Sequence, residues 1–148
     1  MSAGVGALVH VDQEAVRARV AAVLPAFPEV AAAYLFGSAL GECRPDSDID
    51  VALILRAARE AAADFSPAPF EGVVAAALGP LAGHPVDVVA LDRTKPLIAM
   101  EALRGRPLFV ADQDELADFI EVVARAYPDA RYWWDRAVAD VLAGVRRP

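Results

Sequence analysis

The chain has 148 residues, 57% hydrophobic and 24% charged, enough for one domain around a single core. Fourteen Lys and Arg stand against 21 Asp and Glu, and the net charge of −7 argues against general nucleic-acid binding and against an anionic membrane surface. A lone cysteine, Cys43, excludes a disulfide framework and a cysteine-based zinc site. The sequence shows no bilayer-length apolar run and no signal-peptide pattern, so a cytoplasmic protein is expected.

Asp12 reads as the N-cap of a first helix, with Val11 and Val16 as a hydrophobic staple. Val16, Val20, Val23 and Leu24 form its apolar stripe, and Pro25 and Pro28 stop it. Ala31 to Phe36 reads as a buried strand ending in Gly37-Ser38, and Asp50 to Leu55 as a second strand, apolar on both faces. Pro67 and Pro69 open a helix whose apolar face is Phe70, Val73, Val74, Ala77, Leu78 and Leu81, with Gly83 at its end. Val86 to Leu91 is a third buried strand. A short helix from Pro96 to Arg104 stops at Gly105, and Arg106 to Val110 is a fourth strand.

Asp112 and Glu115 resemble a capping box for a last helix, with Leu116, Phe119, Ile120 and Val123 as its stripe. Pro128 should kink or split that helix, and the stripe resumes at Trp133, Trp134, Ala137, Val141 and Leu142. The expected architecture is α/β (α+β): a small mixed sheet flanked by helices, with residues 1–111 as the core. Residues 112–148 are a helical C-terminal extension on the same domain.

Asp48 and Asp50 are two apart, so a strand points both to one face, and Asp87 opens a different strand. A bare Asp-x-Asp is commonly a solvated turn, and a lone Asp an edge residue or a partner for arginine. Three carboxylates at strand termini are costly unless protonated, paired or metal-bound. Hard oxygen ligands suit Mg²⁺, and two such ions about 3.5–4 Å apart can clamp a phosphoryl group. Gly37 would let backbone approach a phosphate closely, and Ser38 could donate to its oxygens; an ordinary turn is the plainer alternative. The segment GSALG is neither a P-loop nor a nucleophile elbow, and Asp46, Asp48 and Asp50 lack the glycine and glutamate of an EF-hand. His10 and His84 stand alone.

Taken together, YLFGSALGECRPDSDIDVALIL followed by VDVVAL resembles the nucleotidyltransferases of the DNA polymerase beta superfamily. The family pattern is a hydrophobic strand ending in Gly-Ser, a loop, Asp-x-Asp opening the next strand, and a third Asp on a later strand. Gly37, Ser38, Asp48, Asp50 and Asp87 match it position by position. The chain is similar in length to a minimal nucleotidyltransferase (MNT), and its tail, with Arg125, Ala126, Tyr127 and Asp129, is similar to those of MNT antitoxins paired with HEPN toxins. MNT loops often read Gly-Ser-x-Ala-Arg-Gly; here the turn is one residue shorter and lacks that arginine. Arg44 is a further family-like element, either a phosphate contact or a surface ion pair.

The resemblance implies a polymerase beta-like fold and transfer of AMP from ATP to a hydroxyl. It implies that Asp48, Asp50 and Asp87 are catalytic and bind two Mg²⁺, Asp87 also serving as base, while Gly37, Ser38 and Arg44 bind nucleotide. The implied acceptor is a tyrosine of a partner HEPN ribonuclease, which makes the chain an antitoxin. Tyr132, Trp133 and Trp134 would then offer an apolar contact surface, or pack the last helix on the core. An aminoglycoside-type adenylyltransferase and a non-catalytic toxin-binding antitoxin are the alternatives.

Overall fold

A computed structural model describes residues 7–146 of the chain. In chain order the elements are β1 (Val9–His10), α1 (Gln13–Val23), β2 (Val30–Phe36), β3 (Glu42–Cys43), β4 (Ile49–Leu55) and α2 (Ala57–Glu60). There follow α3 (Pro67–Leu78), β5 (Val86–Ala90), α4 (Pro96–Leu103), β6 (Arg106–Val110) and α5 (Gln113–Arg146). Single-turn 3₁₀ helices occupy Leu24–Ala26 and Gly37–Leu40. The main sheet runs β5-β4-β2-β6, and β1 and β3 form a separate antiparallel pair. Only β4 and β5 are parallel; β2 is antiparallel to both its neighbours. Among the described residues no helix is long and apolar enough to cross a membrane.

Strand alternation gives the sheet two apolar faces, as a sheet covered on both sides requires. Ala33, Leu35, Val51, Leu53 and Leu55 face Val16 and Val20 of α1 and Val74 and Leu78 of α3. The intervening Ala32, Tyr34, Ala52 and Ile54 face Ala99 and Ala102 of α4 and Phe119 and Val123 of α5. Alanines predominate on the second face of β2, which lets the helices approach closely. Gly105 extends this closeness: a Cβ there would collide with the Leu35 carbonyl, so the turn from α4 into β6 lies directly on β2.

The first helix forms as its sequence dictates. Asp12 Oδ1 accepts from the Ala15 N–H at 3.1 Å, and Val11 and Val16 are buried in one cluster. Elsewhere the structure corrects the expectations. The third helix ends at Leu78, because Gly79 takes a positive φ of 63° at its C-cap and Pro80 cannot continue it. Gly83 instead belongs to a tight turn in which Leu81 and His84 exchange two 2.8 Å backbone hydrogen bonds. Val73 and Ala77 are exposed, so the buried face of α3 is narrower than the apolar run suggested. β5 is a half-buried edge strand, not a buried one, and the Glu71 carboxylate takes the Ala90 N–H at 2.6 Å.

The start of α5 is half a capping box. Asp112 Oδ1 accepts from the Glu115 N–H at 3.1 Å, but Glu115 turns to the Ala57 N–H at 3.0 Å. Pro128 does not split α5, which is continuous from Gln113 to Arg146. Proline removes one hydrogen bond of the ladder. Side-chain pairs span the gap: Arg131 donates to the Tyr127 hydroxyl at 2.9 Å and to Asp135 at 3.0 Å. The side chains of Trp133, Val141 and Leu142, expected on the resumed stripe, lie outside the described residues.

Candidate active site

β2 enters the site at its C-terminal end and β4 and β5 at their N-terminal ends. Phe36 pairs with Asp50, and Asp50 with Asp87. Adjacent strands lie about 4.8 Å apart, and side chains in register across them project to the same face. Asp50 alternates with Val51 and Leu53 and so shares the face of Ala52 and Ile54; Asp87 alternates with Val86 and Val88 and shares the face of Val89. Both carboxylates therefore lie on the α4/α5 side at one end of the sheet. Asp48 sits just ahead of β4, exposed in the loop.

The electrostatics match this placement. Partial burial, then the negative charges of Asp87 and Asp48, push the Asp50 carboxyl above its ordinary value. Among the described residues no three His, Cys, Asp or Glu side chains form a ready-made metal cluster.

Gly37 closes the third side. Its φ is +78°, and a Cβ at that position would strike Asp50 Oδ2. The Gly37–Leu40 turn that follows leaves Gly37 and Ser38 exposed and anchors itself through the buried Ala39. An exposed glycine–serine turn beside clustered carboxylates is suited to hold the phosphates of a nucleotide, provided a cation offsets the negative charge.

Two supports were not evident from the sequence. His84 is buried, and its Nδ1 donates to the Ser47 carbonyl at 3.0 Å, fixing the residue before Asp48. An isolated histidine next to Pro85 gives no hint of this, because the partner is 37 residues away. The β1–β3 pair is the other support. It aligns Val9 with Cys43 and holds the loop between the Gly37–Leu40 turn and Asp48 against the body. Arg44, in that loop, makes an exposed ion pair with Asp46, its Nε 3.3 Å from Oδ1.

A cleft of about 600 Å³ lies between α4 and α5, lined by Ile98, Arg104, Tyr127, Arg131 and Trp134 among others. Arg104 and Arg131 both donate to the Tyr127 hydroxyl, and they hold that phenol below its ordinary pKa. Arg104 caps α4 just before Gly105, which lies against the Leu35 carbonyl, so Arg104 stands at the same end of the sheet as Gly37.

Paired carboxylates in register beside a glycine–serine turn are groups that can serve the transfer of a phosphorus group once a cation joins them. Residues 19–114 match the family model described as polymerase beta, nucleotidyltransferase, and the chain belongs to that family. It is a nucleotidyltransferase with the polymerase beta-like fold. A comparison with curated proteins finds no match. Solved structures share the fold. A chain of a toxin–antitoxin crystal structure with AMP-PNP superimposes with a TM-score of 0.63 at 21% identity, covering 85% of this chain and 98% of that one. A chain from the tri-AMPylated Shewanella oneidensis HEPN toxin in complex with MNT antitoxin gives 0.61 at 20%, covering 88% and 98%. A chain of the MntA-HepT toxin–antitoxin gives 0.61 at 20%, covering 88% and 99%.

Proposed function

We propose that this nucleotidyltransferase moves AMP from ATP to a tyrosine hydroxyl of a partner HEPN ribonuclease toxin, and so acts as its antitoxin in the cytoplasm. The observation that carries the transfer is the register of Asp50 with Asp87 beside the Gly37–Leu40 turn. Similarity of fold to a chain from a complex of MNT antitoxin with an AMPylated HEPN toxin supports the acceptor.

Mg²⁺ fits the donor set. Asp48, Asp50 and Asp87 are hard oxygen donors whose mutual repulsion a cation relieves, and Asp50 carries that repulsion already. The bound ions, two in this reading, would neutralise the triphosphate and make its α-phosphorus more electrophilic. The protein does the rest. Gly37 and Ser38 hold the phosphates in line, and Arg44 exchanges its surface pair with Asp46 for a phosphate oxygen. Asp87, exposed on the edge strand, accepts the proton of the attacking hydroxyl on a carboxylate oxygen, and pyrophosphate leaves.

A macromolecular acceptor suits the shape of α5. The helix starts at the far end of the sheet, where Ala111 and Asp112 bond to Ala31, and passes Arg104 at Tyr127. Beyond Tyr127 its remaining turns rise past the site end of the sheet. Ala130, Trp134, Ala137 and Val138 continue the line of Phe119, Val123 and Tyr127 at helical spacing. Trp134 is 58% exposed and Val138 40%, an apolar face on which a partner docks in this reading. Tyr132 projects from the other side of the helix, also exposed.

Intact-mass analysis of the partner encoded by the neighbouring gene tests the proposal. The partner gains adenylyl groups only with ATP and Mg²⁺, and Asp87→Asn abolishes the gain while leaving the Tm unchanged. A small hydroxylated cation modified in place of the partner would establish the aminoglycoside-type reading. Full neutralisation of the toxin by an Asp48→Asn, Asp50→Asn double variant would establish binding without catalysis.

A further inference from the structure

The Gly37–Leu40 turn is held from behind by a residue that belongs to no part of the site. Gln13, the first residue of α1, donates from Nε2 to the Ala39 carbonyl at 3.2 Å and to the Leu40 carbonyl at 3.3 Å. The turn's closing N–H, that of Gly41, bonds the Ser38 carbonyl at 3.2 Å. Carbonyls at the end of a 3₁₀ turn otherwise lack a partner within it, and Gln13 supplies one to both.

The amide of Gln13 is oriented by a third contact. Its Oε1 accepts from Arg106 Nη1 at 3.1 Å, while Arg106 Nη2 pairs with Glu14. A guanidinium can only donate, so Oε1 must face Arg106 and Nε2 must face the turn. Arg106 opens β6 in register with Leu35, two residues before Gly37. The clamp and the turn therefore grow from neighbouring strands, and α1 bridges them. The core of α1 is Val16 and Val20, so Gln13 contributes little to holding the helix in place.

We propose that Gln13 and Arg106 form a positioning unit for the nucleotide-binding turn, Gln13 as tether and Arg106 as the clamp that orients it. The proposal rests on the nucleotidyl-transfer reading above. A turn already fixed before ATP arrives loses less freedom on binding, so the unit acts on nucleotide affinity more than on the chemical step.

Gln13→Glu is the sharpest test, because it keeps the shape and the acceptor for Arg106 but turns a carboxylate oxygen toward two carbonyls. We expect Gln13→Glu and Gln13→Ala to weaken binding of a fluorescent ATP analogue with MgCl₂ roughly tenfold, the effect of losing two hydrogen bonds. KM for ATP rises by the same factor, kcat stays within about twofold, and KM for the acceptor is unchanged. Amide exchange at Ala39, Leu40 and Gly41 accelerates. Arg106→Met weakens binding less, and its effect combined with Gln13→Ala is smaller than the sum. Unchanged ATP affinity in variants of normal Tm, with an active wild type, overturns the tether alone. So does a fall of Tm with kcat and KM changing for both substrates. A wild type that neither binds ATP nor transfers from it overturns the reading and the tether together.

Discussion

Gly37 meets two demands that no other residue meets together. Its φ of +78° belongs to the left-handed region, and the space a Cβ needs is taken by Asp50 Oδ2. Gly37→Ala should therefore destabilise the fold by about 1–3 kcal/mol, read by chemical denaturation, and remove ATP binding altogether. Asp50 shows the opposite balance. It is partly buried among like charges, so Asp50→Asn should raise the Tm in cation-free buffer at neutral pH while abolishing transfer. At this scale the sequence singled out the carboxylates, Asp87 standing out on an apolar strand. A strand placing Asp48 and Asp50 on one face was expected, but β4 begins only at Ile49, leaving Asp48 in the loop ahead of it. The meeting of Asp50 with Asp87 was not legible, because their register depends on a crossover through α3. His84 and Gln13 were illegible for the same reason. Each does its work on a backbone carbonyl, and carbonyls leave no trace in a sequence.

The elements divide in a similar way. β2, β4, α1 and α4 could be read from apolar runs and punctuating Pro and Gly, whereas the two-residue β1 and β3 carry no periodic signal. α5 depends on its first and middle turns. The Glu115 N–H, then the Arg56 guanidinium, hold the Asp112 carboxyl below its ordinary value. A depressed carboxyl contributes stability that is complete above the ordinary carboxylate pKa and is lost as pH falls through the depressed value. Tm measured from pH 7 downward should fall in that acidic window. Asp112→Ala, less stable at pH 7, should converge with wild type at the acid end. At Pro128 the change should be in the other direction. Pro128→Ala restores a ladder bond and should stabilise the helix by up to about 3 kcal/mol, visible as slower amide exchange beyond Tyr127.

In the whole molecule, the candidate site lies at one end of the sheet, and α5, the longest helix among the described residues, starts at the other. Trp134→Glu should weaken the complex with the partner roughly thirtyfold, as for an aromatic hot spot, and leave the transfer rate at saturating partner unchanged. Titration calorimetry and single-turnover mass measurement separate the two. The mixed sheet flanked by helices was legible in the α-β-β-α-β-α-β-α order. The division of helices between the two faces was not, since either face is apolar enough to accept any of them.

Phe119 and Val123 are fully buried against Ala32, Tyr34 and Ile54, yet they follow every strand of the sheet in the chain. During synthesis α4 alone covers that face until the first half of α5 has left the ribosome. A nascent chain stopped near residue 111 would expose the part of the β2 and β4 surface that Phe119 and Val123 cover to any passing apolar helix, its own kind included. Copies that stop short of Val123 should therefore fall to proteases sooner than longer ones.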